Sequence, residues 1–463
     1  MADASTRKGH LPYVPSNQMK DAARLPLSEG DVNISPSREK WRASLGERAR
    51  SAVEADERYF LRQSLSTPCL TEIVRAEGAW LTDVDGRRFL DFHGNSVHQL
   101  GHGHPRVVEA IRREMETLPF CPRRYSNPTA TALAQRLVET APEGLDKVLF
   151  APSGSAAVGM ALKLARYATG RHKTLSFWDS FHGANLDAIG VGGEALFRRG
   201  LGPMTPGAEH LPPLDLARRF FGDEAPYEKL ADFIDYALEV QGDVAALIAE
   251  PLRWTSVTSP PSDFWPRVAA SCARHGALLI FDEIPSCLAR AGTLYACERL
   301  GATPDILVIG KGLGGGIMPL AAMLTRANLD CAPAAALGHY THEKSPVACA
   351  AALATLQVID DENLIARARA LEARGLERLG GLKARSTRIA DVRSFGAYFG
   401  VEIGGGDARE FADRLMYACL ARGLSFKVGG GNVVTLCPPL TISLADFDKA
   451  FDIVEEAIAE LEA

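Results

Sequence analysis

An α/β fold is what this sequence predicts: a large domain with a mostly parallel central sheet wrapped by helices, followed by a smaller α+β domain. Three observations carry that expectation. From about residue 105 to 345, short apolar runs of strand length alternate with longer helical stretches, the pattern of a parallel sheet buried on both faces. Two of those runs stop at residues that suit a ligand-binding sheet edge. Ala277-Leu278-Leu279-Ile280-Phe281 runs into Asp282-Glu283, and Ile306-Leu307-Val308-Ile309 runs into Gly310-Lys311. Beyond Pro346 the alternation ends, and an alanine-rich helical stretch leads into the strand-like and helical segments of a second, compact unit.

In chain order, residues 1–55 are polar and punctuated by Pro12, Pro15, Pro26 and Pro36, which predicts an extended N-terminal arm lying across a partner subunit. Residues 56–104 form a segment expected to pack with the small domain; within it, residues 80–92 alternate about Asp85-Gly86 and predict a hairpin. The large domain spans 105–345, with strands expected at 147–151, 174–178, 245–250, 278–282 and 306–309. The small domain spans 346–463, with strand character at 389–403, a helix at about 408–422 and a closing amphipathic helix at 444–461.

The bulk composition narrows the function. The chain has 463 residues, enough for a large core, and its 46% hydrophobic and 23% charged content is that of an ordinary soluble protein. A net charge of −6 argues against nucleic acid as a partner. No apolar stretch approaches the length of a membrane span. Met1-Ala2-Asp3-Ala4-Ser5 lacks a secretory profile, and nine cysteines without framework spacing fit reduced thiols, so a cytoplasmic location is expected.

The chemistry rests on Lys311 and Asp282. A lysine amine between an apolar strand and the run Gly312-Leu313-Gly314-Gly315-Gly316 is desolvated and closely approachable, which lowers its pKa and readies it to bond an aldehyde. A buried carboxylate delivered by a second strand to the same sheet edge keeps a pyridine nitrogen protonated, so that the ring can take up electrons. Together these are the requirements of pyridoxal 5'-phosphate (PLP). The G-x-G-x-x-G spacing at Gly310–Gly315 does not mark a dinucleotide fold, because Pro319 prevents the helix that fingerprint needs. A phosphate-binding P-loop fails too, since Gly312 stands where Ser or Thr must follow the lysine.

Other pieces fall at the same edge. Pro152-Ser153-Gly154-Ser155 lies between a strand and an apolar helix, where free N–H groups and the helix dipole make an anion site; a plain serine cap uses the same geometry. Phe181-His182-Gly183 offers an aromatic ring for stacking, although a core phenylalanine is the simpler reading. Glu250 closes another strand and is as readily structural as functional. His98, His102 and His104 have spacing that allows a metal, but no Cys, Asp or Glu completes a tetrahedral set nearby, so they read as cappers and turn formers.

With these residues in hand, the chain resembles the class-III aminotransferase family of PLP-dependent enzymes, of fold type I, over nearly its whole length after residue 60. Gly101-His102-Gly103-His104-Pro105 is similar to the family's Gly-His-x-His-Pro segment, 153–164 to its phosphate-binding helix, and Phe181-His182-Gly183 to its ring-stacking motif. Asp282-Glu283-Ile284 is similar to its Asp-Glu-Val motif and Gly310-Lys311-Gly312 to its Schiff-base segment. The resemblance implies that Lys311 bonds the cofactor and shuttles the proton, and that Asp282 partners the pyridinium. It further implies that Phe181 and Ile284 flank the ring, that Gly154 and Ser155 hold the phosphate, and that Ser153, His182 and Glu250 belong to the cofactor site. Thr341 matches a threonine that reaches the phosphate of the neighbouring subunit, so a homodimer with shared active sites is implied.

The chain departs from the family pattern in two places. Pro285 stands where the family has a glutamine that contacts the cofactor's phenolic oxygen. Lys427 falls near a mobile arginine that grips a keto-acid carboxylate, and lysine lacks that planar fork; its plainest reading is a solvated strand-end residue. Both departures point away from two-substrate transamination. Residues 423–442 and Asp282-Glu283-Ile284-Pro285 are similar to a branch of the family that releases ammonia from (R)-1-hydroxy-2-aminoethylphosphonate, giving phosphonoacetaldehyde. A phosphonate amine calls for cations, and Arg123, Arg124 and Lys427 are the candidates; a surface pair is an equal reading of the two arginines. The alternatives are an ω-aminotransferase moving a terminal amine to a keto acid, a phospho-lyase on an amino-alcohol phosphate, and a relative that keeps the cofactor only to bind it.

Overall fold

A computed structural model describes residues 35–64 and 66–463. Residues 1–34 of the expected arm lie outside the described residues. The remainder of that expectation is corrected, because Pro36–Ala43 and Glu47–Tyr59 are helices. The Ser35 hydroxyl accepts from the Arg38 N–H at 3.1 Å, and Pro36 occupies the first turn, where its missing N–H is harmless. Trp41, Leu45, Ala49 and Val53 recur at a four-residue interval and are all buried, so this segment is packed and not extended.

The strands fall into three sheets among the described residues. In the first, β1 (Ile73–Glu77), β2 (Trp80–Asp83) and β3 (Arg88–Asp91) form an antiparallel meander whose β2–β3 turn is the expected hairpin. The central sheet holds β4 (Lys147–Ala151), β5 (Lys173–Phe177), β6 (Ala208–Leu211), β7 (Val244–Ala249), β8 (Leu278–Asp282), β9 (Ile306–Ile309) and β10 (Ala321–Thr325). Its order is β4-β10-β9-β8-β7-β5-β6. The third sheet comprises β11 (Ile389–Ser394), β12 (Phe399–Ile403), β14 (Lys427–Gly429) and β15 (Val433–Leu436), while β13 (Leu424–Ser425) leaves it to pair in parallel with β3.

In the central sheet only β10 runs against its neighbours β4 and β9. The C-terminal ends of β4, β5, β7, β8 and β9 therefore open on one edge. β6 and β10 are additions to the expected strands. β7, Val-Ala-Ala-Leu-Ile-Ala, is buried at every position because helices cover both faces of the sheet. Its alternation is still visible: Leu247 and Ala249 belong to one apolar cluster, and Ala246 and Ile248 to a second one around the helix Gly154–Thr169. No helix among the described residues is long and apolar enough to cross a membrane.

Candidate active site

A cavity of about 860 Å³ lies at the edge where these strands end. Its lining includes Ser153, Gly154, Ser155, Phe181, His182, Glu250, Asp282, Ile284 and Lys311, residues scattered over the sequence that the parallel sheet brings together. Lys311 follows β9 in a short 3₁₀ turn, Lys311–Gly314, and its own backbone is left-handed, with φ at +47°. Holding a non-glycine residue there costs about 1–3 kcal/mol, a strain that concentrates at functional sites. The glycines around it permit close packing; a Cβ on Gly312 would lie 1.9 Å from Gln99 Oε1. Burial pushes the Lys311 amine below its ordinary pKa, against the pull of Asp282 and Glu250, which favour the ammonium.

Asp282 ends β8 and is 3% exposed. His182 Nδ1–H donates to its Oδ2 at 2.9 Å and the Ile284 N–H donates to its Oδ1 at 3.2 Å, so the carboxylate is held from two sides. His182 Nε2 is buried without a hydrogen-bond partner. Glu250, at the end of β7, pairs with Arg253 at 2.5 Å, and both are buried. Its two oxygens also accept from the Phe181 N–H at 3.1 Å and the Trp254 N–H at 3.3 Å. The Glu250 carboxylate thus fixes the backbone that carries Phe181, whose ring packs 4.6 Å from that of Phe197.

The turn after β4 fits a phosphate. Ser153 caps the helix Gly154–Thr169, its hydroxyl accepting from the Ala156 N–H at 3.2 Å, and the Ser155 hydroxyl accepts from the Ala184 N–H at 3.0 Å. First-turn N–H groups and the helix dipole favour an anion there. Gly154 and Gly183 keep the space open: a Cβ on Gly154 would meet Ile284 Cδ1 at 2.6 Å, and one on Gly183 would meet Ser155 Oγ at 2.3 Å. An amine for an aldehyde, a carboxylate for a pyridinium, an amide-lined phosphate pocket and apolar flanks at Phe181 and Ile284 therefore share one cavity. The residues present fit PLP.

The other candidates lie elsewhere. Thr341 is exposed, in the turn before the helix Pro346–Asp361, and does not line this cavity. Neither do Arg123 and Arg124; Arg123 hydrogen-bonds the His339 ring at 2.8 Å, and Arg124 is exposed. Lys427, read from sequence as solvated, is corrected: it stands in the cavity wall, half-buried, and burial pushes its pKa down to about 8. His102 Nε2 meets Asp91 Oδ2 at 2.8 Å, His98 Nε2 meets the Asp91 carbonyl at 3.0 Å, and His104 Nε2 meets Glu362 at 3.2 Å. Among the described residues, no three metal-ligating side chains gather as a metal requires.

Arg253 and His93 are among the cavity residues that escaped the sequence reading. Arg253 stands three positions after Glu250, a spacing that could have marked the pair. His93, also in the lining, follows β3 at an irregular bend and carries no periodic signal.

Comparison with known proteins extends this geometry. The family model described as aminotransferase class-III matches residues 62–458. The chain is 44% identical over 456 residues to the (R)-1-hydroxy-2-aminoethylphosphonate ammonia-lyase of Vibrio splendidus, covering 94% of this chain and 95% of that one. Among solved structures it is similar to an (S)-enantioselective omega-transaminase from Thermomicrobium roseum, with a TM-score of 0.83 and 29% identity over 90% of this chain and all of that one. It is similar also to an amine transaminase from an uncultivated Pseudomonas species in its PLP-bound form, with a TM-score of 0.79 and 30% identity over 84% and 94% of the two chains.

Proposed function

Because the chain belongs to the class-III aminotransferase family, whose cofactor is PLP, we propose that it is an ammonia-lyase acting on (R)-1-hydroxy-2-aminoethylphosphonate. The products are phosphonoacetaldehyde and ammonia. The observation that carries this reading is the similarity to the Vibrio splendidus lyase, which runs nearly the full length of both chains. Pro285, where a glutamine would serve transamination, lines the cavity and supports it.

When bound, PLP supplies an aldehyde for the substrate amine and a ring that accepts the electrons of a broken C–H bond. The chain's residues do the rest. Burial keeps the Lys311 amine ready to take the proton from the carbon bearing nitrogen. Asp282, held by His182 and the Ile284 N–H, is a fixed carboxylate that would partner the ring nitrogen. Ser153, Gly154 and Ser155 would hold the phosphate, and the Glu250–Arg253 pair fixes the backbone of Phe181, whose ring would flank the cofactor. Loss of the neighbouring hydroxyl, then addition of water and release of the amine, balances to one aldehyde and one ammonia, with no keto acid consumed.

The reading includes a homodimer in which Thr341 reaches the neighbouring subunit's phosphate; its exposed position outside its own chain's cavity supports this. The decisive experiment gives the purified PLP-loaded enzyme 1-hydroxy-2-aminoethylphosphonate alone. Equal amounts of ammonia and phosphonoacetaldehyde are expected. Silence there, with turnover once pyruvate and a simple amine are supplied, would instead establish an aminotransferase.

A further inference from the structure

Hydroxide is a poor leaving group, so the elimination described above needs a proton carrier beside the hydroxyl as well as a base beside the carbon bearing nitrogen. Lys311 meets the second need. The cavity wall holds an imidazole, that of His93, which suits the first.

His93 stands two residues beyond the end of β3 and is half-buried, and the turn it opens is fixed from several sides. Asp91 Oδ1 accepts from the His93 N–H at 3.0 Å and from the Gly94 N–H at 2.8 Å, while the Phe92 carbonyl accepts from the Cys437 N–H at 2.7 Å. Gly94, Asn95 and Ser96 then follow one another with φ at +46°, +45° and +59°. Two of the three are not glycine, and such a conformation persists only where the surroundings over-determine it, as they do at functional sites. Gly94 lets the turn lie against the His98 ring, since a Cβ there would be 2.2 Å from Nδ1. His93, Asn95 and Ser96 thus form a stiff turn that lines the cavity together with Lys311.

The surroundings also set the character of the imidazole. Burial pushes its pKa below the ordinary histidine value and the charge of Lys311 pushes the same way, against the pull of Asp91 and the Asn95 side chain. An imidazole so placed rests neutral, and once protonated it gives the proton up readily.

We propose, resting on the functional reading above, that His93 hands a proton to the departing hydroxyl of the substrate. The proton that Lys311 takes from the carbon bearing nitrogen passes to the imidazole and from there to the hydroxyl oxygen. The carbon–oxygen bond breaks with its electron pair on oxygen, which leaves as water, and the pair of the broken C–H bond forms the new carbon–carbon double bond. Lys311 and His93 both end the step as they began it, neutral.

The test compares the PLP-loaded enzyme with its His93→Asn and His93→Gln variants on two leaving groups. 1-Hydroxy-2-aminoethylphosphonate must lose hydroxide, whereas 1-chloro-2-aminoethylphosphonate loses chloride, which departs without a proton; ammonia release is measured for both. 2-Aminoethylphosphonate, which has no leaving group, is titrated by cofactor absorbance, and its deuterium uptake in D2O at the carbon bearing nitrogen, followed by NMR, reads proton removal by Lys311. Both variants are expected to release ammonia from the hydroxy compound about 10²- to 10⁴-fold more slowly, the usual contribution of a positioned proton donor. Chloride elimination, 2-aminoethylphosphonate binding and deuterium uptake should stay close to wild type. Undiminished ammonia release from the hydroxy compound would overturn the assignment and leave Lys311 as its own proton donor; equal losses on both leaving groups would overturn it by making His93 structural. If the wild type takes up deuterium or expels chloride but never releases ammonia from the hydroxy compound, the lyase reading falls and takes the assignment with it.

Discussion

Replacing Glu250 by glutamine isolates the ion pair that supports Phe181. Glu250 and Arg253 are 7% and 5% exposed, so the substitution leaves a guanidinium buried without its counter-charge. Breaking a buried pair from one side costs about 3–5 kcal/mol, because the remaining charge keeps its desolvation penalty. The same change weakens the acceptor for the Phe181 and Trp254 N–H groups. Urea unfolding of the PLP-loaded enzyme, followed by tryptophan fluorescence, measures the loss. In the double variant Glu250→Gln, Arg253→Met, removal of the stranded charge should recover about 1–3 kcal/mol relative to the sum of the single changes. A single-variant loss below about 1 kcal/mol, or a double variant equal to that sum, would refute the pairing argument.

Three further outcomes are expected. Lys311→Ala should lose both the visible absorbance of the bonded cofactor and all turnover, and persistent turnover would remove the lysine from the reaction. Gly183→Ala should weaken PLP retention on dialysis, because Gly183 has φ at +130° and a Cβ there would lie 2.3 Å from Ser155 Oγ; full retention would show that the phosphate turn tolerates the shift. Lys427 has a folded pKa of about 8 against 10.5 for an ordinary lysine, so the folded chain binds fewer protons between those values and stability attributable to this group falls as pH drops from 10.5 toward 8. Lys427→Met should therefore raise the unfolding midpoint more at pH 7 than at pH 10.5, and a pH-independent difference would count against the burial of the amine.

How much was legible depended on whether the deciding information was local. β8 and β9 were read to the residue because strands buried on both faces are uninterrupted apolar runs, ended here by Asp282 and Gly310; β4, at the sheet edge and half-buried at Val148 and Leu149, is still an apolar run opened by Lys147. β10 was missed because Ala321-Ala322-Met323 has weak strand preference, and its place is imposed by the neighbours it separates. The helix at Pro36 carried a serine cap and a first-turn proline, both visible, but the prolines before it pulled the reading toward an arm. The candidate cofactor residues that share the cavity were legible because they follow the C-terminal ends of β4, β5, β7, β8 and β9, and the sheet gathers those ends; Thr341, which follows no such end, is not among them. The half-burial of Lys427 was not legible, although the residue was named as a candidate: buried Phe426 and Val428 flank it, and a period-two pattern assigns the intervening side to solvent. Only the docking of β14 against the loop after β7 turns that side into a cavity wall.

The parallel pairing of β3 with β13 has a consequence for synthesis. Leu90 aligns with Leu424, the Phe92 N–H donates to the Ser425 carbonyl at 2.8 Å, and the Cys437 N–H donates to the Phe92 carbonyl at 2.7 Å. A sheet begun near residue 73 is thus finished only when residue 424 has emerged, long after the ribosome has released the central domain. A nascent chain stalled or truncated short of that point lacks the part of the cavity lining that residues 424–428 supply. Translation order therefore makes the opening and closing stretches of the polypeptide mutually dependent, and a premature stop near the end should be as silencing as one near the start.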